Sequence, residues 1–201
     1  MFSENISNEQ IASLPKAAFA GRIVVVSNAD ELNNELAQFN TNHIIGFDTE
    51  TKPSFKKGNT NSVALLQLAN NETAILVRLQ ETGITNSLKK LLESPNIIKV
   101  GAAIRDDIKS LRKIRDFKPG GFVDLQNHMS DFGIEALSVR KMAAIILGLR
   151  VSKSQQLSNW EQPELTEGQQ QYAATDAWIC QQILIALQNK LNQNHSHNNG
   201  L

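Results

Sequence analysis

The sequence predicts an α/β domain, a mixed β-sheet flanked by α-helices. Three apolar, β-prone runs near 44–49, 63–69 and 74–79 follow in succession, the last two joined by a short turn, which suits antiparallel neighbours. From residue 84 onward strand and helix patterns alternate, the arrangement that parallel crossovers require. Helices near 134–147 and 166–191 complete the set.

In chain order, residues 1–20 read as a short helical or irregular arm broken at Pro15. Gly21 and Arg22 lead into Ile23-Val24-Val25-Val26, an edge strand. Ser27 with Asp30 then opens an amphipathic helix to about Phe39. Asn70-Asn71, residues that tolerate turn conformations, join the strands 63–69 and 74–79. Helix 84–93, strand 97–100 and helix 105–115 form an αβα passage. Thr166, followed three residues later by Gln169, is a capping box for the last helix. The segment 192–201, with His195 and His197 among Asn and Gln, is too polar to pack and is expected to be disordered. The folded domain is thus expected over 21–191, with no internal repeat.

Composition sets bounds. A chain of 201 residues buries a substantial core in one domain. Its single cysteine, Cys180, forms no intramolecular disulfide, suits a reducing compartment and reads as a buried structural thiol. Glu4 stands where a signal peptide wants positive charge, and no apolar stretch reaches the length of a membrane span, so a cytoplasmic location without membrane contact is expected. Lys+Arg and Asp+Glu both total 20, which excludes a global basic field. Lys89 through Lys118 nevertheless holds nine basic residues against four acidic, either a solvated helical face or a surface that tracks phosphates.

The acids carry more information. In His43-Ile44-Ile45-Gly46-Phe47-Asp48-Thr49-Glu50 an apolar strand turns acidic at its end. Alternation puts Asp48 and Glu50 on one face, with Cα atoms roughly 6.5 Å apart. Two converging like charges there repel unless a cation compensates them, and hard oxygen donors favour magnesium or manganese over zinc. Taken alone, the pair is more often a solvated strand end, because the pattern is short and common. Tyr172 and Asp176 are i and i+4 on one helical face, roughly 6 Å apart along the axis, within reach of one bound water. Between these pairs, Asp106 and Asp107 open a helix, where the macrodipole favours any acid. Asp107 lies nearer the apolar stripe of Ile104, Ile108 and Leu111.

On these residues the chain resembles the DEDDy-type 3′-5′ exonucleases, nearest the Werner-type exonuclease domain and more distantly ribonuclease D. Asp48-Thr49-Glu50 is similar to the first motif of that family, Gly101 through Leu111 to the second, and Tyr172 with Asp176 to the third. Ser62 through Ala69 resembles the strand after the first motif, and Ser158-Asn159-Trp160, preceded by Lys153, the segment before the third. The resemblance spans roughly residues 22–190 and implies a ribonuclease H-like fold of the DnaQ type. It also implies two divalent cations, Mg2+ or Mn2+, with Asp48 bridging both, Glu50 and Asp176 completing the first, and Asp107, in place of Asp106, supporting the second through water. Tyr172 would orient the attacking water, and Glu50 help deprotonate it. Nucleoside 5′-monophosphates would leave from the 3′ end.

Thr49, Arg105, Lys153 and Trp160 are the expected nucleic-acid contacts, Trp160 either stacking on a base or packing beside the site. One of Leu65, Leu66 and Leu68 is a candidate wedge against the terminal base, against a stronger expectation of core packing. The polar residues Lys56, Lys57, Gly58 and Asn59 read as a cover for the strand end or a solvated connection. Asp124 is expected to make structural hydrogen bonds. A chain of this length has no room for helicase modules or extra helical domains, so the expectation is distributive action, or grip supplied by a protein partner or oligomer. Three readings result: a DNA-directed exonuclease, favoured by overall spacing, an RNA-trimming enzyme on the same scaffold, and a noncatalytic nucleic-acid-binding module.

Overall fold

The computed structural model describes residues 2–39, 43–53 and 61–198. The polar segment Lys56, Lys57, Gly58 and Asn59 lies outside the described residues. Six strands form one mixed sheet: β1 (Arg22–Val26), β2 (Ile44–Thr51), β3 (Val63–Ala69), β4 (Thr73–Arg78), β5 (Ile98–Gly101) and β6 (Phe122–Asp124), in the spatial order β1-β4-β3-β2-β5-β6. β2, β3 and β4 form an antiparallel meander, whereas β1 joins β4, β5 joins β2 and β6 joins β5 in parallel. The helices are α1 (Asn8–Ser13), α2 (Ala29–Phe39), α3 (Leu79–Thr82), α4 (Asn86–Glu93), α5 (Arg105–Ile114), α6 (Val139–Leu147) and α7 (Glu167–Asn198).

Strand periodicity assigns the two faces. Ile45, Phe47, Leu66, Leu68, Ile75 and Val77 pack with Leu32 and Leu36 of α2, Leu88, Leu91 and Leu92 of α4 and Leu111 of α5. The alternate residues, Gly46, Asp48 and Glu50 of β2 with Leu65, Gln67 and Ala69 of β3, face α7. That helix lies close because small residues line it: Ala173, Ala174 and Ala177 are fully buried. A Cβ on Gly46 would come within 1.8 Å of the Ala177 carbonyl oxygen, so β2 needs glycine there. Beyond β5, Val100 packs with Met142 and Ala143 of α6 and with Ile179, Cys180 and Ile183 of α7.

Several elements differ from the sequence reading. The helix expected over 84–93 is preceded by the single turn of α3. Gly83, at φ +59°, separates that turn from α4, which Thr85 caps through Leu88 N–H. The helix expected from 134 begins at Val139, capped by Ser138, because short 3-10 turns over Leu125–His128 and Ser130–Phe132 carry the chain in beforehand. Three-residue β6 is too short for a periodic signal. α7 continues to Asn198, through residues the sequence assigns to an irregular tail, since adding a residue to an existing helix costs far less than starting one.

The N-terminal arm packs onto the domain. Ser7 and Gln10 form a capping box for α1, and Ile11 is fully buried. Ala17 N–H donates to the Arg150 carbonyl and Arg150 N–H to the Pro15 carbonyl. Phe19 N–H donates to Thr175 Oγ1, and the Gln171 amide to the Phe19 carbonyl. Among the described residues no helix is long and apolar enough to cross a membrane.

The basic surplus of 89–118 does not form one surface. Lys99 is 0 % exposed, and its ammonium donates to the carbonyls of Leu91, Ser94 and Ile97 at 2.7–3.0 Å, which matches its three N–H donors. Lys109 pairs with Asp106, Arg112 with Asp116, and Arg115 donates to the Ile84 carbonyl.

Gly46→Ala should destabilise the protein by about 3 kcal/mol or more, since the added methyl meets the α7 backbone at Ala177 and not a side chain that can swing away. Thermal or urea unfolding against wild type checks this.

Candidate active site

β2 and α7 build the site together. The ligand-capable oxygens of Asp48, Glu50 and Asp176 lie within 4.8 Å of one another. Asp48 and Glu50 reach that face by alternation. A register shift between Glu50 and Thr51 ends regular pairing with β3 at this point. Asp176 arrives from α7 between Ala173 and Ala177, so the close approach that demands Gly46 also delivers the third carboxylate.

Tyr172, one turn earlier on α7, stands beside Asp176 at the same site. Its ring meets that of Trp160 at a centroid distance of 6.0 Å. Asp107 stands just outside the trio and is tied to it through Thr49, whose hydroxyl donates to the Asp107 carboxylate. The first turn of α5 thereby separates the two adjacent acids: Asp106 faces solvent and binds Lys109 at 2.8 Å, while Asp107 turns to the site. Asp124 fixes that turn. Its carboxylate accepts from Ala103 N–H at 3.0 Å and Ile104 N–H at 3.2 Å, holding Ala103 at φ +58°, the left-handed region an alanine avoids unless held. The structural role expected for Asp124 is the one observed.

Proximity and burial disturb every acid. Burial, with Asp176 and Asp107 nearby, pushes the Asp48 carboxyl well above its usual range. Burial next to Asp48, Asp176 and Asp107 raises Glu50 to about 9. Burial raises Asp176 to about 7 against the opposing Tyr172 hydrogen bond. Asp107 is raised by burial, with the Thr49 hydrogen bond opposing. Tyr172 is raised by burial and by Asp176 and Glu50, so its hydroxyl stays a donor at neutral pH. The trio fits a divalent cation: three carboxylate oxygens converge, and buried Asp176 Oδ1 has no hydrogen-bond partner.

A cleft of about 320 Å³ opens over the trio, lined by Asp48, Thr49, Glu50, Tyr172 and Asp176 together with Ser138, Arg140, Ser152, Lys153 and Gln156. Lys153, an expected nucleic-acid contact, lines this cleft. Arg105 is exposed on α5 and is not among the residues lining this cleft. Trp160 is a correction: at 0 % exposure, packed with Leu65, Leu76 and Leu165, it has no face free for a base. Leu65, Leu66 and Leu68 are likewise fully buried and offer no wedge. Arg140 is the residue that sequence reasoning missed. A helix start placed too early hides its signal, a cation in the first turn of a helix, where the macrodipole disfavours it. Its guanidinium donates to Asn8 Oδ1 of the arm at 3.3 Å.

Residues 23–192 match a family described as 3′-5′ exonuclease. The chain is 31% identical over 176 residues to the bifunctional 3′-5′ exonuclease/ATP-dependent helicase WRN of Mus musculus, a match covering 83% of this chain and 13% of that protein. It is 27% identical over 170 residues to ribonuclease D of a Shewanella strain, covering 83% of this chain and 42% of the relative. The chain thus spans less than half the length of either. Among solved structures, the exonuclease domain of Aedes aegypti Nibbler superposes with a TM-score of 0.75 at 24% identity, covering 86% of this chain and 89% of that one.

Because the carboxyl groups of Glu50 and Asp176 are raised, the proton each holds stabilises the metal-free fold. That stability is complete below the unfolded-state values near 4 and is lost as pH climbs through about 7 and about 9. The melting temperature of the metal-free protein should therefore fall between about pH 6 and pH 9, saturating Mg2+ should restore it most at the alkaline end, and Glu50→Gln should flatten the slope. Scanning calorimetry across this range checks all three.

Proposed function

We propose, from the premise that this chain belongs to the 3′-5′ exonuclease family and has its ribonuclease H-like, DnaQ-type fold, that it removes nucleotides one at a time from the 3′ end of DNA. The observation that carries the reading is the convergence of Asp48, Glu50 and Asp176 within 4.8 Å in a cleft that Tyr172 also lines. Asp48, Glu50 and Asp176 would hold one divalent cation, and Asp107, set apart by Thr49, would serve a second through water. Such cations, Mg2+ or Mn2+, supply Lewis-acid polarisation of the scissile phosphate and lower the pKa of bound water.

The side chains divide the remaining work. Tyr172, kept protonated by its surroundings, donates to and orients the attacking water, and Glu50, once ionised by a bound cation, accepts a proton from that water. The water oxygen bonds to phosphorus as the bond to the 3′-oxygen of the preceding nucleotide breaks. The released nucleotide keeps its phosphate on the 5′ carbon, and the shortened strand ends in a 3′-hydroxyl. Arg140 and Lys153 on the cleft wall are placed to meet backbone phosphates, charge that the acidic floor cannot provide.

DNA is favoured by the 31% identity to a relative named as an exonuclease and helicase, whereas the ribonuclease D relative at 27% favours RNA. Incubation with matched 5′-labelled DNA and RNA and Mg2+ or Mn2+ distinguishes them. A ladder shrinking from the DNA 3′ end, absent with Asp48→Ala, is the expected result. A ladder on RNA alone reassigns the substrate, and no cleavage of either contradicts the enzyme reading. Tyr172→Phe should keep cation affinity near wild type while lowering kcat about a hundredfold or more, the usual range for losing a positioned proton donor.

A further inference from the structure

Among the described residues, four buried side-chain polar atoms lack a hydrogen-bond partner: Gln67 Nε2 and Oε1, Trp160 Nε1 and Asp176 Oδ1. Buried polar groups are nearly always paired, so these orphans call for a common explanation. They lie in one layer. Gln67 stands opposite Asp48 on β2 and opposite Leu76 on β4, on the sheet face that α7 covers. On β3 it falls between Leu65, which packs with Trp160, Tyr172 and Ala173, and Ala69, which packs with Ala174 and Ala177. Asp176 occupies the turn of α7 between those same alanines, so strand and helix periods bring amide and carboxylate to facing surfaces. Trp160 shares its cluster with Leu65 and Leu76, the residues flanking Gln67 along its strand and across the ladder.

Their chemistry is complementary. An indole N–H only donates, an amide offers a donor and an acceptor, and an ionised carboxylate only accepts. One order satisfies all four atoms: Trp160 Nε1–H to Gln67 Oε1, and Gln67 Nε2–H to Asp176 Oδ1. We infer that Gln67 is a positioning residue of the carboxylate site, the middle of a buried relay from Trp160 to Asp176 that closes when a divalent cation engages Asp176. The inference rests on the trio being a cation site. The relay orients a ligand oxygen that has no other partner among the described residues, the part outer donors play around metal-ligating carboxylates. It also gives the buried indole nitrogen of Trp160 a purpose in place of base stacking.

Mn2+ affinity by titration calorimetry and the metal-free melting temperature, measured on wild type, Gln67→Met, Trp160→Phe and the double variant, test this. Gln67→Met removes two orphaned polar atoms, so its metal-free melting temperature should equal or exceed wild type, while its Mn2+ affinity falls about tenfold or more. Trp160→Phe, which keeps an aromatic ring and loses the pyrrole half with its N–H, should weaken affinity less. The double variant should be no worse than Gln67→Met, because both changes cut one chain of bonds. Wild-type Mn2+ affinity in Gln67→Met overturns the inference, as does a lowered metal-free melting temperature, which would mean the amide is already satisfied. Additive losses overturn the relay through Trp160. If wild type itself fails to bind Mn2+, the cation site fails, a result distinct from failure of Gln67 alone.

Discussion

The contact on which the rest depends is the approach of the α7 backbone to β2, where the Ala177 carbonyl occupies the space a side chain at Gly46 would need. Small residues on the helix and glycine on the strand let the two elements meet with almost nothing between them. One turn of α7 and two residues of β2 then place Asp176 against Asp48 and Glu50. Each ionised pair at a separation near 4.8 Å repels by on the order of 3 kcal/mol at an effective dielectric of about 20. Packing of alanines, leucines and Trp160 holds this electrostatic conflict in place. The fold thus stores an unfavourable arrangement that protons relieve in part and a divalent cation relieves more fully.

The opposite face of the sheet makes this possible. Phe47, Leu66 and Leu68 anchor β2 and β3 to α2, α4 and α5, so the acidic face is presented by strands whose other side is a well-packed core. Thr49 links the two layers. Alternation turns it away from Asp48 and Glu50, toward α5, where its hydroxyl meets Asp107. Asp124 in turn pins the start of α5 through the Ala103 and Ile104 N–H groups. The fourth carboxylate is therefore set by hydrogen bonds across the sheet edge, and its distance from the trio is a property of three separate elements.

Sequence made the site legible to the extent that spacing along one element sets geometry. Asp48 and Glu50 two apart on a strand, and Tyr172 and Asp176 four apart on a helix, meet where alternation and helical pitch put them, and the sheet class followed from the same periodicities. What escaped depends on tertiary partners. Trp160 reads as either stacking or packing until its burial against Tyr172 is seen, and Lys99 counts toward a basic surface until three carbonyls enclose it. Arg140 was hidden by a helix boundary set by Ser138, a local cap that apolar spacing alone does not reveal. Three-residue β6 and the packed arm escaped because their positions come from neighbours, not from pattern.

With its carboxyl groups raised by burial and mutual repulsion, the trio should hold protons at neutral pH that a divalent cation displaces. Measuring the Mg2+ binding enthalpy at pH 7 in buffers of different ionisation enthalpy counts those protons directly. The expected result is a buffer-dependent enthalpy that corresponds to release of about one proton or more per chain, drawn from Asp48, Glu50 and Asp176. Binding whose enthalpy is the same in every buffer would contradict it.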